Sequence, residues 1–463
     1  MLPTVTAASR AATAARFDAL SLDEGEDKDE DGAEQRRSFG FDLPGRRADS
    51  RQMSPLERVT SSYLTNEGVY LHLRDYERRC GEISRVVRIG TSVEGVPIEA
   101  LEISNTVEDG VKDGKPHVKL VATIHGDETS GLSTSLGVAE WLCANYETDP
   151  EARRVVQGVH LWVVPVMNPD GYKARTRYNA NGIDLNRSFP DQFKSGMCMC
   201  PEGREPETQA IMELTHKYPF AGSLVFHEGD LVVNYPLDGT PNGQRHYSAS
   251  ADDRTFVYLA RVYADNHPVL STKRQRGFTN GITNGAAWYV IYGGMQDWNY
   301  LQEQTMELTL EISEPKTPSA SELPRIYQQN KQSILEFIRA TALDVLHGRV
   351  TDSNGAGIEG ATVSIKGIDH PFATRDGGYF VRPLAPGKYT AVVEKRGYKT
   401  VEKVVTVEAG DAPELNVVLE KSQKKKTSSP SSSKKDKKKD AKKGKKKGAK
   451  KGKKKSTKKQ SKV

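Results

Sequence analysis

Three side chains of metal-binding type follow or end apolar runs in this sequence. His125 and Glu128 lie in VATIHGDETSG, residues 121–131, and His227 lies in SLVFHE. One His-x-x-Glu is weak evidence, since a chain with ten His residues contains such a spacing by chance about half the time. The set is stronger. Two imidazoles and one carboxylate form a three-ligand zinc group with an open fourth position, which leaves a water free to be activated. The first two ligands come from one turn and the third from a separate strand.

The elements that must position these residues can be read from apolar patterning. VKLVATI (118–124), HLWVVPV (160–166), SLVFHE (223–228) and MELTLEIS (306–313) are apolar runs of strand length whose continuity indicates burial on both faces. Helical patterns alternate with them from about residue 56 to 343. One follows residue 129, with Leu132, Leu136 and Leu142 on one side. Another, over 321–343, carries Leu323, Ile326, Ile334 and Phe337. The expected fold is α/β, a central sheet covered by helices. In such sheets ligands bind beyond the carboxyl ends of strands, where His125, Glu128, Asn168, His227 and Glu311 fall.

After His347 the texture changes to short alternating runs separated by NG, GG and PG, so residues 346–420 are expected to form a small antiparallel β-sandwich. Residues 421–463 hold 22 Lys and 2 Asp. With a formal net charge of +6, the first 420 residues therefore carry about 14 net negative charges, and the basic balance belongs to the end of the chain. That segment and residues 1–56, with the acidic run DEGEDKDEDGAE, lack the apolar periodicity of a packed core and read as disordered. The first 17 residues contain no acid and no continuous apolar stretch of the kind a secretory signal needs. No run of 18 apolar residues is present, which excludes a transmembrane helix. The Lys-rich end suits electrostatic attachment to anionic surfaces or nucleic acid without sequence specificity. Of the four cysteines, Cys198 and Cys200 stand too close to favour bonding each other, and Cys80 and Cys143 do not decide the redox compartment.

HGDE, NPDGY, RYNANGIDLNRSFPD, HEGDLVVNYPLD, GITNGAAWYVIYGGMQDWNY and LTLEIS occur in this order, and together they resemble the zinc metallocarboxypeptidases. More narrowly the chain is similar to the carboxypeptidase N/E branch, over roughly residues 57–420, with a catalytic domain at 57–345 and a transthyretin-like domain at 346–420. The resemblance implies a mixed sheet, one Zn2+ per chain held by His125, Glu128 and His227, and Glu311 as general base. It implies that Arg177 stabilises the oxyanion, and that Asn186, Arg187 and Tyr289 clamp the free C-terminal carboxylate. Asp238 and Gln296 match positions that receive a terminal Lys or Arg side chain. The partners are then peptides or proteins with a free, basic C-terminus, and the family points to the secretory pathway or extracellular space. A non-catalytic binder on this fold, or an amidohydrolase of acylated amino acids, are the alternatives. This chain departs from the branch at Glu228, where a glycine is usual, and at Ser188. Its polar N-terminal segment is too short for a folded inhibitory pro-domain, so synthesis in active form is expected.

Overall fold

The computed structural model describes residues 53–107, 113–193, 203–272, 274–275 and 277–422. The expectations for residues 1–52, for Cys198 and Cys200 and for the Lys-rich end from residue 423 lie outside these. The described chain opens with α1 (Pro55–Ser61), which includes two residues that the sequence alone places in the N-terminal segment. The reason is a capping box: Ser54 Oγ accepts the Glu57 amide while Glu57 takes the Ser54 amide, with Pro55 in the first turn.

The helix α2 (Asn66–Arg79) leads to the antiparallel pair β1 (Ser84–Thr91) and β2 (Pro97–Ile103). Then come β3 (His117–Val121), α3 (Ser130–Asn145), α4 (Pro150–Gly158), β4 (His160–Val164) and α5 (Pro169–Ala174). The chain continues through α6 (Pro206–Lys217), β5 (Phe220–His227), β6 (Asp230–Tyr235), α7 (Asp253–Asp265) and a short hairpin of β7 (Arg274–Gln275) and β8 (Phe278–Thr279). The last elements of this part are β9 (Ile282–Asn284), α8 (Gly285–Trp288), α9 (Met295–Glu303), β10 (Met306–Ser313) and α10 (Leu323–Ile338).

Eight strands form one mixed sheet in the order β1-β2-β4-β3-β5-β10-β6-β9. Its centre, β4-β3-β5-β10, is parallel, as the doubly apolar runs require. One face packs Leu132, Leu136, Phe337 and their neighbours from α3, α7 and α10, and the other packs Ile211, Met295 and Trp298 from α6 and α9. Each such fully buried large apolar side chain stabilises the fold by about 1.5–3 kcal/mol. Two charged exceptions sit inside the apolar runs. Lys119, fully buried, donates to Thr215 Oγ1 and Asn299 Oδ1, and Oε2 of Glu307 accepts from Ser223 Oγ and Asn299 Nδ2, so each charged group has two polar partners.

Residues 346–419 form two small sheets: β11 (Leu346–Asp352) between β14 (Tyr379–Arg382) and β17 (Val417–Leu419), and β12 (Thr362–Ile365) between β13 (Ile368–Ala373) and β15 (Gly387–Glu394), with β16 (Val401–Val407) outermost. A core of Leu346, Val363, Phe380, Val393 and Leu419 lies between them. The expectation of a purely antiparallel sandwich needs correction, because β11 and β17 run parallel. A parallel pair needs a long crossover, and the intervening four-stranded sheet supplies it. Among the described residues no helix is long and apolar enough to cross a membrane.

A disulfide joins Cys80, at the end of α2, to Cys143 in α3 across 63 residues of sequence. By the chain-entropy relation a loop of that length is worth on the order of 4 kcal/mol, and native disulfides commonly contribute about 2–5 kcal/mol. Replacing both cysteines by Ala should lower the unfolding midpoint by several degrees without loss of the native circular-dichroism spectrum. An unchanged midpoint would show the bond to be energetically idle.

Candidate active site

The parallel strands end together at one edge of the sheet, and the predicted metal residues stand there. β3 stops at Val121, three residues earlier than its apolar run, and the chain then turns. Gly126 lies so close to the backbone of Gly171 that a Cβ would come within 2.0 Å of it, which only glycine permits. Asn168, four residues past the end of β4, caps α5 through the Gly171 amide and donates to Ile124 O at 3.3 Å, locking the two strand-end turns together. His227 is the last residue of β5, and Glu311 on β10 is its register partner.

His125 Nδ1 lies 3.0 Å from Glu128 Oε1, His227 Nδ1 lies 2.7 Å from Glu128 Oε2, and the two Nδ1 atoms are 3.1 Å apart. All three residues are buried. Two imidazole lone pairs and a carboxylate converging on one point are the donor set zinc takes, so these residues fit the ion. Burial opposes charge on Glu128, but the His125 and His227 rings hold its carboxyl well below the usual range. His125 Nε2 meets Asp184 Oδ1 at 3.0 Å, which fixes the ring and leaves Nδ1 turned toward Glu128 and His227. Asp184 was not singled out from sequence; its only signal is its place two residues before Asn186. A second buried group, Glu102, His117 and His160, differs in kind. His160 uses both nitrogens on Glu102 and Asp113, and His117 Nδ1 accepts from Trp162, so three of the four imidazole nitrogens already hold hydrogen bonds.

Around these three residues lies a cavity of about 240 Å3 whose walls include Arg177, Asn186, Arg187, Asp238, Tyr289, Glu311 and Glu228; Asn168, Ser188 and Gln296 are not among its lining residues. Glu311 is buried, and its Oε2 has no hydrogen-bond partner among the described residues. Burial, then the charges of Glu128 and Asp230, push its carboxyl well above the usual range. Arg177 spans Asp184 Oδ2 at 2.9 Å and Glu128 Oε1 at 3.4 Å. Asn186 Oδ1 takes the amide of Met295 at 3.0 Å, and Arg187 Nη1 donates to Asn186 O at 3.0 Å. Tyr289 stands at the mouth, 45% exposed.

At the other end Asp238 is buried, and its Oδ1 accepts Asn234 Nδ2 at 3.0 Å and Gln296 Nε2 at 3.1 Å. Gln296 sits immediately behind Asp238, its Oε1 fixed by the Thr309 amide. Burial pushes the Asp238 carboxyl up to about 6. Gly285 faces it so closely that a Cβ would lie 1.8 Å from Asp238 Oδ1. Asp297, given no role from sequence, holds the turn from beneath by accepting the amides of Asp238 and Gly239. Glu228, the departure from the branch, ties three segments together. It accepts the Ser130 amide at the start of α3 and the Thr317 amide, while its own amide donates to Glu128 Oε2 at 3.2 Å.

Comparison with known proteins agrees with this geometry. Residues 69–333 match the family model for zinc carboxypeptidases, and residues 345–420 match that for a carboxypeptidase regulatory-like domain. Carboxypeptidase SOL1 of Arabidopsis thaliana is 41% identical over 364 residues, covering 77% of this chain and 72% of its own. Carboxypeptidase E of Caenorhabditis elegans is 38% identical over 385 residues, covering 73% and 81%. Carboxypeptidase D of Homo sapiens is 38% identical over 370 residues, 76% of this chain but 26% of that protein, so this chain spans about a quarter of it. In the fold alone, thrombin activatable fibrinolysis inhibitor is similar, with a TM-score of 0.53 at 17% identity over 62% of this chain and 77% of the other. Three residues that could hold a metal ion converge within a matched catalytic-family region, and the chain belongs to the zinc carboxypeptidase family, whose enzymes use Zn2+.

Proposed function

We propose that this enzyme removes Lys or Arg from the free C-terminus of peptides and proteins, with residues 57–345 as the catalytic unit. The observation that carries the basic preference is Asp238, a buried carboxylate at the closed end of the cavity. A cationic side chain satisfies it, and an apolar one leaves it desolvated and unpaired.

His125, Glu128 and His227 would hold the zinc ion, which would supply Lewis-acid polarisation and make the attacking water more acidic. Arg187 and Asn186, with Tyr289 closing from the mouth, bind the terminal carboxylate, and a guanidinium fork suits its two oxygens. Glu311 takes a proton from the attacking water as the water oxygen bonds to the scissile carbonyl carbon. Arg177 stabilises the negative charge that develops on the carbonyl oxygen. When the C–N bond breaks, Glu311 returns the proton to the leaving amine nitrogen, giving a shortened peptide and a free amino acid. Its buried, raised carboxyl is well suited to hold that proton between the two steps.

Two outcomes follow. Converting the terminal carboxylate of an Arg peptide to an amide should abolish its hydrolysis, and cleavage of the amide at the rate of the acid would contradict the clamp. The second concerns pH. Asp238 is ionised above about 6 and neutral below it, so the ratio of kcat/KM for Arg-terminated over Phe-terminated peptides should fall as pH drops through about 6. Taking the ratio cancels the titration of Glu311, which acts on both substrates; a flat ratio from pH 5 to 7.5 would remove Asp238 from the pocket.

A further inference from the structure

The helix that lies behind the pocket is held at its far end by the β-sandwich. Gln296 and Asp297, in the first turn of α9, meet Asp238 and its turn. Tyr300 follows Gln296 by four residues, about one helical turn. Its hydroxyl donates to Asp252 Oδ2 at 3.1 Å and accepts the Asp252 amide at 3.1 Å. Arg382 of β14 donates to the other oxygen of Asp252 at 2.8 Å, and both side chains are fully buried. Two further contacts of the β-sandwich reach the same helix. The ring of His370 packs at a 40° tilt against Tyr300 with centroids 4.2 Å apart, and the Ala373 amide donates to Oε1 of Gln304, which caps α9, at 2.9 Å.

We infer that Arg382, acting through Asp252 and Tyr300, is a positioning residue for the specificity pocket, so that the β-sandwich fixes the helix that holds Asp238. This rests on the reading of Asp238 as the acceptor of a basic side chain. The physical ground is the cost of an uncompensated buried charge. Arg382 is the cation on Asp252, and without it Asp252 must turn toward water or lose its charge, in either case weakening its side-chain hydrogen bond with Tyr300. A helix seated only by apolar contacts slides more readily than one whose two ends are both hydrogen-bonded, because packing contacts are less directional.

Two variants of the full, zinc-loaded chain test this. Tyr300→Phe removes one hydroxyl and leaves the ion pair in place. Arg382→Met combined with Asp252→Asn removes both charges and leaves no ion buried alone. In either, KM for an Arg-terminated peptide should rise roughly three- to tenfold, the scale of one lost hydrogen bond, with kcat within about twofold. The Arg-to-Phe selectivity should fall in step, and the amides of residues 295–303 should exchange faster with solvent. A purely structural role would lower the melting midpoint and leave KM and selectivity at 25 °C unmoved. If the wild-type protein discriminates Arg from Phe, unchanged KM in both folded variants overturns the inference. If it does not discriminate, the pocket assignment itself fails, and hydrogen exchange at 295–303 then decides alone: unaltered protection means that the β-sandwich does not hold α9.

Discussion

Replacing Glu311 by Gln lowers kcat by roughly 10²- to 10⁴-fold, the range spanned by a positioned general base and acid, while zinc content and the melting midpoint stay near those of the wild type. The substitution keeps the size of the side chain and removes only its ability to accept a proton. Glu311 is not among the three converging ligand residues, so its loss leaves the metal group intact. Its Oε2 makes no hydrogen bond, so no structural partner is orphaned. Removing a negative charge from beside Glu128 and Asp230 relieves repulsion, and the folded state should not suffer. A variant retaining more than about a tenth of wild-type kcat would assign the proton transfer to another group.

Replacing Asp238 by Asn lowers kcat/KM for Arg- and Lys-terminated peptides by about 2–5 kcal/mol, the usual effect of truncating one partner of a buried charge pair. That corresponds to roughly 30- to 5,000-fold. Among the described residues, the two acids nearest Asp238 are already engaged. Both oxygens of Asp297 accept backbone amides of residues 238 and 239, and Asp191 accepts the amides of Phe193 and Gly293. Phe-terminated peptides should change by less than about threefold, since an amide is no harder than a carboxylate for a ring to displace. Parallel losses for Arg and Phe would mean that the substitution had disturbed α9 or the turn rather than a charge contact.

The central strands were legible because burial on both faces writes a continuous apolar run, as in VKLVATI and HLWVVPV. The strands β1, β2, β6 and β9 were not among those identified. β1 lies at the sheet edge and carries Arg85 and Arg88 among its apolar residues, and β9 is three residues long. The convergence of His125, Glu128 and His227 was legible from their types and places, since strand ends are where an α/β sheet opens to ligands. What sequence could not convey depends on contacts between distant segments. Asp184 matters because it meets His125 across 59 positions, Asp297 because it lies under the Asp238 turn, and Arg382 because it reaches Asp252 across 130. The pairing of Cys80 with Cys143 is of the same kind, fixed by the approach of α2 to α3 and by no local signal. Lys119 and Glu307, buried within runs that read as apolar, show that a strand can hide a charge when its neighbours supply donors and acceptors.

The most direct test is release of the terminal residue from matched peptides ending in Arg, Lys, Phe and Glu, with zinc-loaded protein and with protein stripped by a chelator. Release of Arg and Lys only, lost on stripping and restored by zinc, is the predicted result. Preferential release of Phe or Glu, or release that survives removal of the metal, would contradict it.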